Sequence, residues 1–201
     1  MAKRIAKFEK VSFAQFEAAW KDTFEENSTE KIREIYDGIE LPKRATSGSA
    51  GYDFYAPIDF TIAPGETVKI PTGIRVHMEE EWVLKCYPRS GLGFKYRLQL
   101  NNTVGIIDSD YYYSDNEGHI FSKITNDSNE DKTVELKAGN GFMQGNMASR
   151  WMTMCRQCAT ADLAARPRHR CRIRKRNKNE IRTDMQGRGS AYFFCTWACY
   201  F

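Results

Sequence analysis

From Gly51 onward the apolar positions recur with period two: Ile58, Phe60 and Ile62, then Val68 and Ile70, then Ile74, Val76 and Met78, then Trp82, Leu84 and Cys86. Each run offers one apolar and one polar face, the pattern of a strand buried on one side. Turn chemistry separates the runs at Ala-Pro-Gly-Glu, Pro-Thr-Gly and Arg-Ser-Gly-Leu-Gly. Several short strands at this spacing predict an antiparallel sandwich or barrel, with further strands near 104–108, 119–125 and 133–136. Upstream the period is helical. Phe13, Phe16, Ala19 and Trp20 fall on one helix face behind Ser12 as N-cap, and a second short helix is expected from Thr29 to Tyr36. The layout is a helical N-terminal extension over 1–40 and an all-β domain over 41–145.

After Gly145 both periods vanish. The 201-residue chain has a formal charge of +4, but residues 1–145 carry 18 Lys and Arg against 23 Asp and Glu, and residues 146–201 carry 12 against 3. Five of the six cysteines (Cys155, Cys158, Cys171, Cys195 and Cys199) also lie in that last segment. The β region keeps only Cys86, which fits a cytoplasmic domain without a disulfide framework. The basic start has no apolar h-region and no run reaches membrane-spanning length, so no membrane role is expected.

Four stretches make little sense as generic turns: Ala45–Asp53 (ATSGSAGYD), Tyr87–Gly93 (YPRSGLG), Asn101–Tyr113 (NNTVGIIDSDYYY) and Gly141–Gly145 (GFMQG). Arg89, Ser90 and the backbone N–H groups around Gly91 form a short donor cluster of the kind that cradles phosphates. Gly105-Ile106-Ile107 is apolar enough to be buried, so Asp108 emerges at the edge of the core, where a carboxylate can activate a water. Tyr112 and Tyr113 read as sheet packing, Asp110 as a polar strand end. His77, His119 and His169 show neither triad nor metal spacing and read as ordinary surface or packing residues.

In order and spacing these stretches resemble the homotrimeric dUTPase family. Ala50-Gly51-Tyr52-Asp53 matches its first motif, Pro88 to Gly93 its second, Gly105 to Tyr111 its third, and Gly139 to Gln144, more loosely, its fourth. The resemblance implies a jelly-roll β-sandwich that forms a homotrimer, with sites at subunit interfaces that hydrolyse dUTP to dUMP and pyrophosphate with Mg2+. By position, Asp108 is implied as the residue that activates the attacking water and Tyr111 as the ring under the deoxyribose. Asn102 and the backbone of Ile106 and Ile107 are implied to read uracil. Arg89, Ser90, Gly91 and Gln144 would bind phosphates, and Asp53 would hold the metal through water. A dCTP deaminase and a non-catalytic nucleotide-binding protein are the alternatives of the same fold. The stretch after Tyr111 departs from the family by inserting several polar residues, and the family's fifth motif, a Gly-rich C-terminal arm, does not occur in 146–201.

That segment has three readings. Cys155-x-x-Cys158 supplies half of a zinc site without a well-spaced second half. Arg166 to Lys178 could act as a nucleic-acid arm by charge, but no aromatic residues are interleaved. The third reading is a displaced frame. One permissible set of codons for Asn146 to Pro167, read from the last base of Gly145, translates as EYGITVDDDVPAMRNGGFGSTA. Its RNGGFGST is the missing arm. Most bases of each shifted codon are dictated by the existing residues, so free codon choice does not easily create such a match. An indel near codon 146 is therefore expected, leaving a disordered tail and a poor dUTPase.

Overall fold

In the computed structural model, which describes residues 4–150, the alternating runs become strands close to where their periodicity marks them. The chain begins with strand β1 (Ala6–Lys10), then helices α1 (Phe13–Phe24) and α2 (Thr29–Gly38). Strands β2 (Gly51–Tyr55), β3 (Phe60–Ile62), β4 (Thr67–Pro71), β5 (Ile74–Met78) and β6 (Trp82–Pro88) follow. A short helix α3 (Ser90–Tyr96) leads to β7 (Leu98–Leu100) and β8 (Gly105–Ile107), and a 3-10 turn (Ser109–Tyr113) leads to β9 (Phe121–Asn126), β10 (Val134–Leu136) and β11 (Gly141–Ser149).

The strands form a four-stranded sheet, β2-β11-β6-β8, a three-stranded sheet, β4-β9-β7, and two ribbons, β1-β5 and β10-β3. Every strand pairing is antiparallel. This is the expected jelly-roll sandwich. One apolar cluster joins both sheets, with Phe54, Leu84, Phe142 and Met143 from the first meeting Ile70, Leu98, Leu100 and Ile124 from the second.

The N-terminal segment adds to that core. Phe16, Ala19 and Trp20 are the buried face of α1, and the side chain of Ser12 accepts from the Gln15 N–H as the N-cap. Tyr36 of α2 donates to the Val11 carbonyl at 2.6 Å, and Lys10 donates to the Tyr36 carbonyl at 2.7 Å.

Three elements differ from the expectation. Residues 6–10 are a strand rather than part of a purely helical extension, because β5 offers an edge that pairs Phe8 with Val76. The stretch after Arg89 is a helix rather than a bare turn, closed by Arg97 in the left-handed conformation, whose N–H bonds to the Leu92 and Gly93 carbonyls. The expected boundary at Gly145 falls inside β11, which continues beside β6 as far as Ser149 opposite Trp82. Backbone pairing does not depend on side-chain identity, so the ladder runs on while β6 presents free groups. The tail readings from Trp151 onward, zinc ligands and basic arm included, lie outside the described residues.

Candidate active site

Of the predicted site residues, Arg89, Ser90, Gly91, Gln144, Asp53 and Asn102 lie toward the C-terminal end of β6, and Asp108 and Tyr111 toward its N-terminal end. At its C-terminal end, register brings three strands together: Gln144 on β11 lies opposite Asp53 on β2 and Tyr87 on β6. The Gln144 Nε2 is 3.4 Å from Asp53 Oδ1, and an Arg89 guanidinium nitrogen is 3.7 Å from Asp53 Oδ2. Asp53 is only 4% exposed, whereas Arg89 faces solvent. A carboxylate at this depth needs a counter-charge, and Arg89 supplies it. The Arg89 N–H donates to the Phe142 carbonyl at 3.0 Å, tying the start of α3 to β11. Ser90 and Gly91 open α3, where N–H groups have no partner within the helix and point outward. Gly51 is required by close approach: a Cβ there would stand 2.2 Å from the Gln144 side chain.

The 101–104 turn passes from β7 in one sheet to β8 in the other near that same end, since Gly105 pairs with Cys86, and β8 then runs toward the N-terminal end of β6, where Asp108 follows Ile107. Thr103 has φ 64°, and two short backbone bonds (Thr103 N to Leu100 O at 2.8 Å, Val104 N to Asn102 O at 2.6 Å) hold the turn. Beneath it lies a cavity of about 340 Å³ whose lining includes Asn102, Gly105, Cys86, Leu100 and Met143. Burial pushes the Cys86 thiol up to about 12, which makes it an inert wall. A second cavity of about 490 Å³ adjoins it across Ile106, Ile107 and Phe121, and is lined by Asp108, Asp110 and Tyr111. Asp108 is exposed and N-caps the 3-10 turn without a side-chain capping bond, which leaves its carboxylate facing solvent.

Tyr111 is held firmly. Its hydroxyl donates to the His119 carbonyl at 3.0 Å and accepts from Asn116 Nδ2 at 2.8 Å. His119 is fully buried, its Nε2 accepting from the Gly73 N–H at 2.9 Å, and burial lowers its pKa to about 4. It is a packing residue, as expected. Tyr112 donates to Glu9 at 2.7 Å and stacks edge-on with His77, whereas Tyr113 is 74% exposed rather than packed in a sheet. Sequence reasoning missed Asn116, Glu117 and Glu9 around this turn. The polar run Ser114–Gly118 reads as plain loop, and Glu9 sits in a strand set by tertiary pairing.

Asp53 is a poor fit for a metal ligand, since its oxygens face Arg89 and Gln144. Among the described residues no group of three or more His, Cys, Asp or Glu could hold a metal ion. None of the described helices is long and apolar enough to cross a membrane.

The family model described as dUTPase matches residues 37–144, more than half of the chain. The chain belongs to the dUTPase family. It is 45% identical over 109 residues to the deoxyuridine 5'-triphosphate nucleotidohydrolase of Lactococcus lactis, covering 54% of this chain and 71% of the relative. The enzyme of the same name from Shewanella amazonensis is 46% identical over 99 residues, covering 48% of this chain and 62% of the relative. Among solved structures, the dUTPase from Streptococcus mutans is similar at 34% identity with a TM-score of 0.51, covering 71% of this chain and 94% of that one. Family membership assigns dUTP hydrolysis to the domain.

Proposed function

We propose that the domain hydrolyses dUTP to dUMP and pyrophosphate at a site shared between copies of a homotrimer, with residue roles as follows. Asp108 orients a water and takes its proton as the water oxygen bonds to the α-phosphorus. The bond from that phosphorus to the bridging oxygen breaks, and pyrophosphate leaves with the electron pair. Arg89, the Gln144 amide and the N–H groups of Ser90 and Gly91 hold the phosphates and oppose the negative charge that builds on them. Asn102 and the backbone of Ile106 and Ile107 read uracil in the smaller cavity. A cytosine in that place would set donor against donor and leave a buried group unpaired. Tyr111 walls the sugar.

The observation that carries the shared site is the register along β6. Ile107 pairs with Leu84, which sets Asp108 level with Val83, while Arg89 follows Pro88 at the other end. Six residues of strand at about 3.3 Å each separate them by about 20 Å. A base and a phosphate clamp must each come within hydrogen-bond reach, about 3 Å, of their own atoms on the triphosphate, and groups this far apart on one strand do not converge on it. Asp108 and Arg89 of one copy therefore serve different sites: one copy supplies Asp108 and Tyr111, with the uracil pocket that adjoins them across Ile106 and Ile107, and a neighbour supplies Arg89 and Gln144. The role proposed for Asp53 is to hold Arg89 and Gln144 in place. Mg2+ is proposed to arrive on the triphosphate, since this ion keeps several waters and is held mainly by substrate phosphates with few carboxylates. A deoxynucleoside triphosphate substrate accords with action in the cytoplasm.

The test is pyrophosphate release from dUTP, dCTP and UTP, with ammonia release from dCTP run beside it. Turnover of dUTP alone is expected. Ammonia from dCTP would make the chain a deaminase, and dUTP binding without pyrophosphate release, even with the Gly-rich arm restored, would make it a binding protein.

A further inference from the structure

The stretch Tyr112–Gly118, which follows Tyr111, is a largely half-buried loop knotted by side-chain hydrogen bonds. Asn116 stands at its centre. Its Oδ1 accepts from the Gly118 N–H at 3.1 Å, and because that donor is a backbone group, the amide can face only one way. Nδ2 is thereby turned to the Tyr111 hydroxyl at 2.8 Å. The Ser114 hydroxyl lies 2.7 Å from both the Tyr111 carbonyl and Asn116 Oδ1, bracing the same turn with its one proton. Gly118 closes it at φ +71°, where a Cβ would come within 2.8 Å of the Tyr112 Cα.

The loop is also fastened from outside. Glu117 accepts from the Ser12 N–H at 2.7 Å and from the Ser12 hydroxyl at 2.6 Å, at the very N-cap of α1. Its neighbour Tyr112 reaches Glu9 of β1, and Arg75 of β5 pairs with Glu9 at 3.3 Å. A loop pinned at both Glu117 and Tyr112 gives Asn116 a fixed base from which to hold a ring.

We propose that Asn116 is a positioning residue for nucleotide sugar selection: its amide, with the His119 carbonyl, fixes the Tyr111 hydroxyl and so sets how closely the ring stands against the 2′ position. The proposal rests on Tyr111 facing the sugar, as in the proposed function. The physical reason is that a ring held only by packing can tilt to admit a 2′-hydroxyl, whereas a ring whose far end is tied by two hydrogen bonds cannot tilt without breaking one.

Binding of dUDP and of UDP to the full chain, by calorimetry, reads this without requiring turnover. Asn116→Asp keeps the Oδ1 acceptor for Gly118 and Ser114 but replaces the donor to Tyr111 by an acceptor, so the one phenolic proton can serve the new carboxylate or the His119 carbonyl but not both, and one of the two ties is lost. It is expected to lower the dUDP-over-UDP preference by about two- to tenfold, with the melting temperature little changed. Asn116→Ala should do the same, and Asn116→Asp on a Tyr111→Phe background should add nothing, because the partner hydroxyl is already gone. Parental preference in Asn116→Asp, or an effect that simply adds to Tyr111→Phe, overturns the proposal. So does loss of the folding transition in both Asn116 variants, since the residue would then hold the fold rather than the ring. If instead Tyr111→Ala keeps the parental preference, or the parent shows none, the reading of Tyr111 fails and the proposal falls with it.

Discussion

The two ends of β6 carry the proposed half-sites, and the supports behind them follow opposite principles. At the C-terminal end the functional cation, Arg89, is exposed and is held by a buried carboxylate, so charge does the positioning. At the N-terminal end the carboxylate Asp108 is exposed, and the bonds nearest it, through Tyr111, Asn116 and Ser114, are neutral, the charged contacts of Tyr112 with Glu9 and of Glu117 with Ser12 lying further out. A phosphate clamp tolerates an ion pair behind it, because the substrate brings compensating charge. A base that must take up a proton is better served by neutral supports, which do not change its charge balance. The comparison predicts that damage to the first half shows in phosphate binding and stability, and damage to the second in chemistry and sugar selection.

The largest effect should come from neither half but from what covers both. Replacing residues 146–201 by the reading in the shifted frame, EYGITVDDDVPAMRNGGFGSTA, supplies a Gly-rich arm. It should raise dUTP turnover by about 100-fold or more, on the scale of closing and positioning effects. Turnover of the chain as written that equals the restored one would show that the two halves suffice alone.

Next in size is the ion pair. Arg89→Ala leaves Asp53 buried without its cation, and should lower unfolding stability by about 2–3 kcal/mol together with a rise in KM, read by urea melts and steady-state kinetics. Asp53→Asn in the same background should return part of the stability, because the unpaired charge is then gone. If the double variant is less stable than Arg89→Ala, charge is not what organises this end.

A smaller effect sharpens the contrast at the other end through His119, whose carbonyl anchors Tyr111. Burial lowers its pKa from 6.5 to about 4, with Glu117 opposing and Lys69 adding to the shift. The folded state thus resists protonation more than the unfolded chain does. Its contribution is fully present above pH 6.5 and is lost as pH falls from there through 4. Glu9, lowered from 4.5 to about 2 by its bonds to Lys7 and Tyr112, adds its own loss of stability mainly as pH falls through and below 4.5, so the slope between pH 7 and pH 5 is chiefly that of His119. Stability should fall by about 1–2 kcal/mol between pH 7 and pH 5. In His119→Gln, whose amide oxygen can still accept from Gly73, thermal melts should show a flatter limb.

Legibility in the sequence followed the range of the forces involved. The runs from Ile58 to Cys86 were readable because burial on one face imposes period two locally, and α1 because Phe16, Ala19 and Trp20 share a face behind a capping Ser12. Strand β1 was not readable, since it exists through its pairing with β5. Helix α3 was hidden by its two glycines and its length of two turns: Leu92 and Tyr96 share a face against the core, but none of its residues is fully buried. The residue types of the site were legible by their resemblance to the family. That resemblance also implied sites at subunit interfaces, but which residues would fall in each proposed half was not legible, because it depends on the register between β6, β8 and β11. The support around Tyr111 was invisible for a related reason: Asn116 reaches back five residues, while Glu117 meets Ser12 more than a hundred residues upstream.

The shared site is the central claim, and mixing tests it most directly. Asp108→Asn and Arg89→Ala are prepared separately in the chain carrying the restored arm, each expected to lose about 100-fold or more in dUTP turnover. After unfolding and refolding together, copies of both kinds enter one assembly, and some sites then combine an intact Asp108 from one chain with an intact Arg89 from the other. The account predicts that the mixture regains a substantial fraction of parental pyrophosphate release. A mixture no more active than its two components would mean that Asp108 and Arg89 serve the same site within one chain, contradicting the separation along β6.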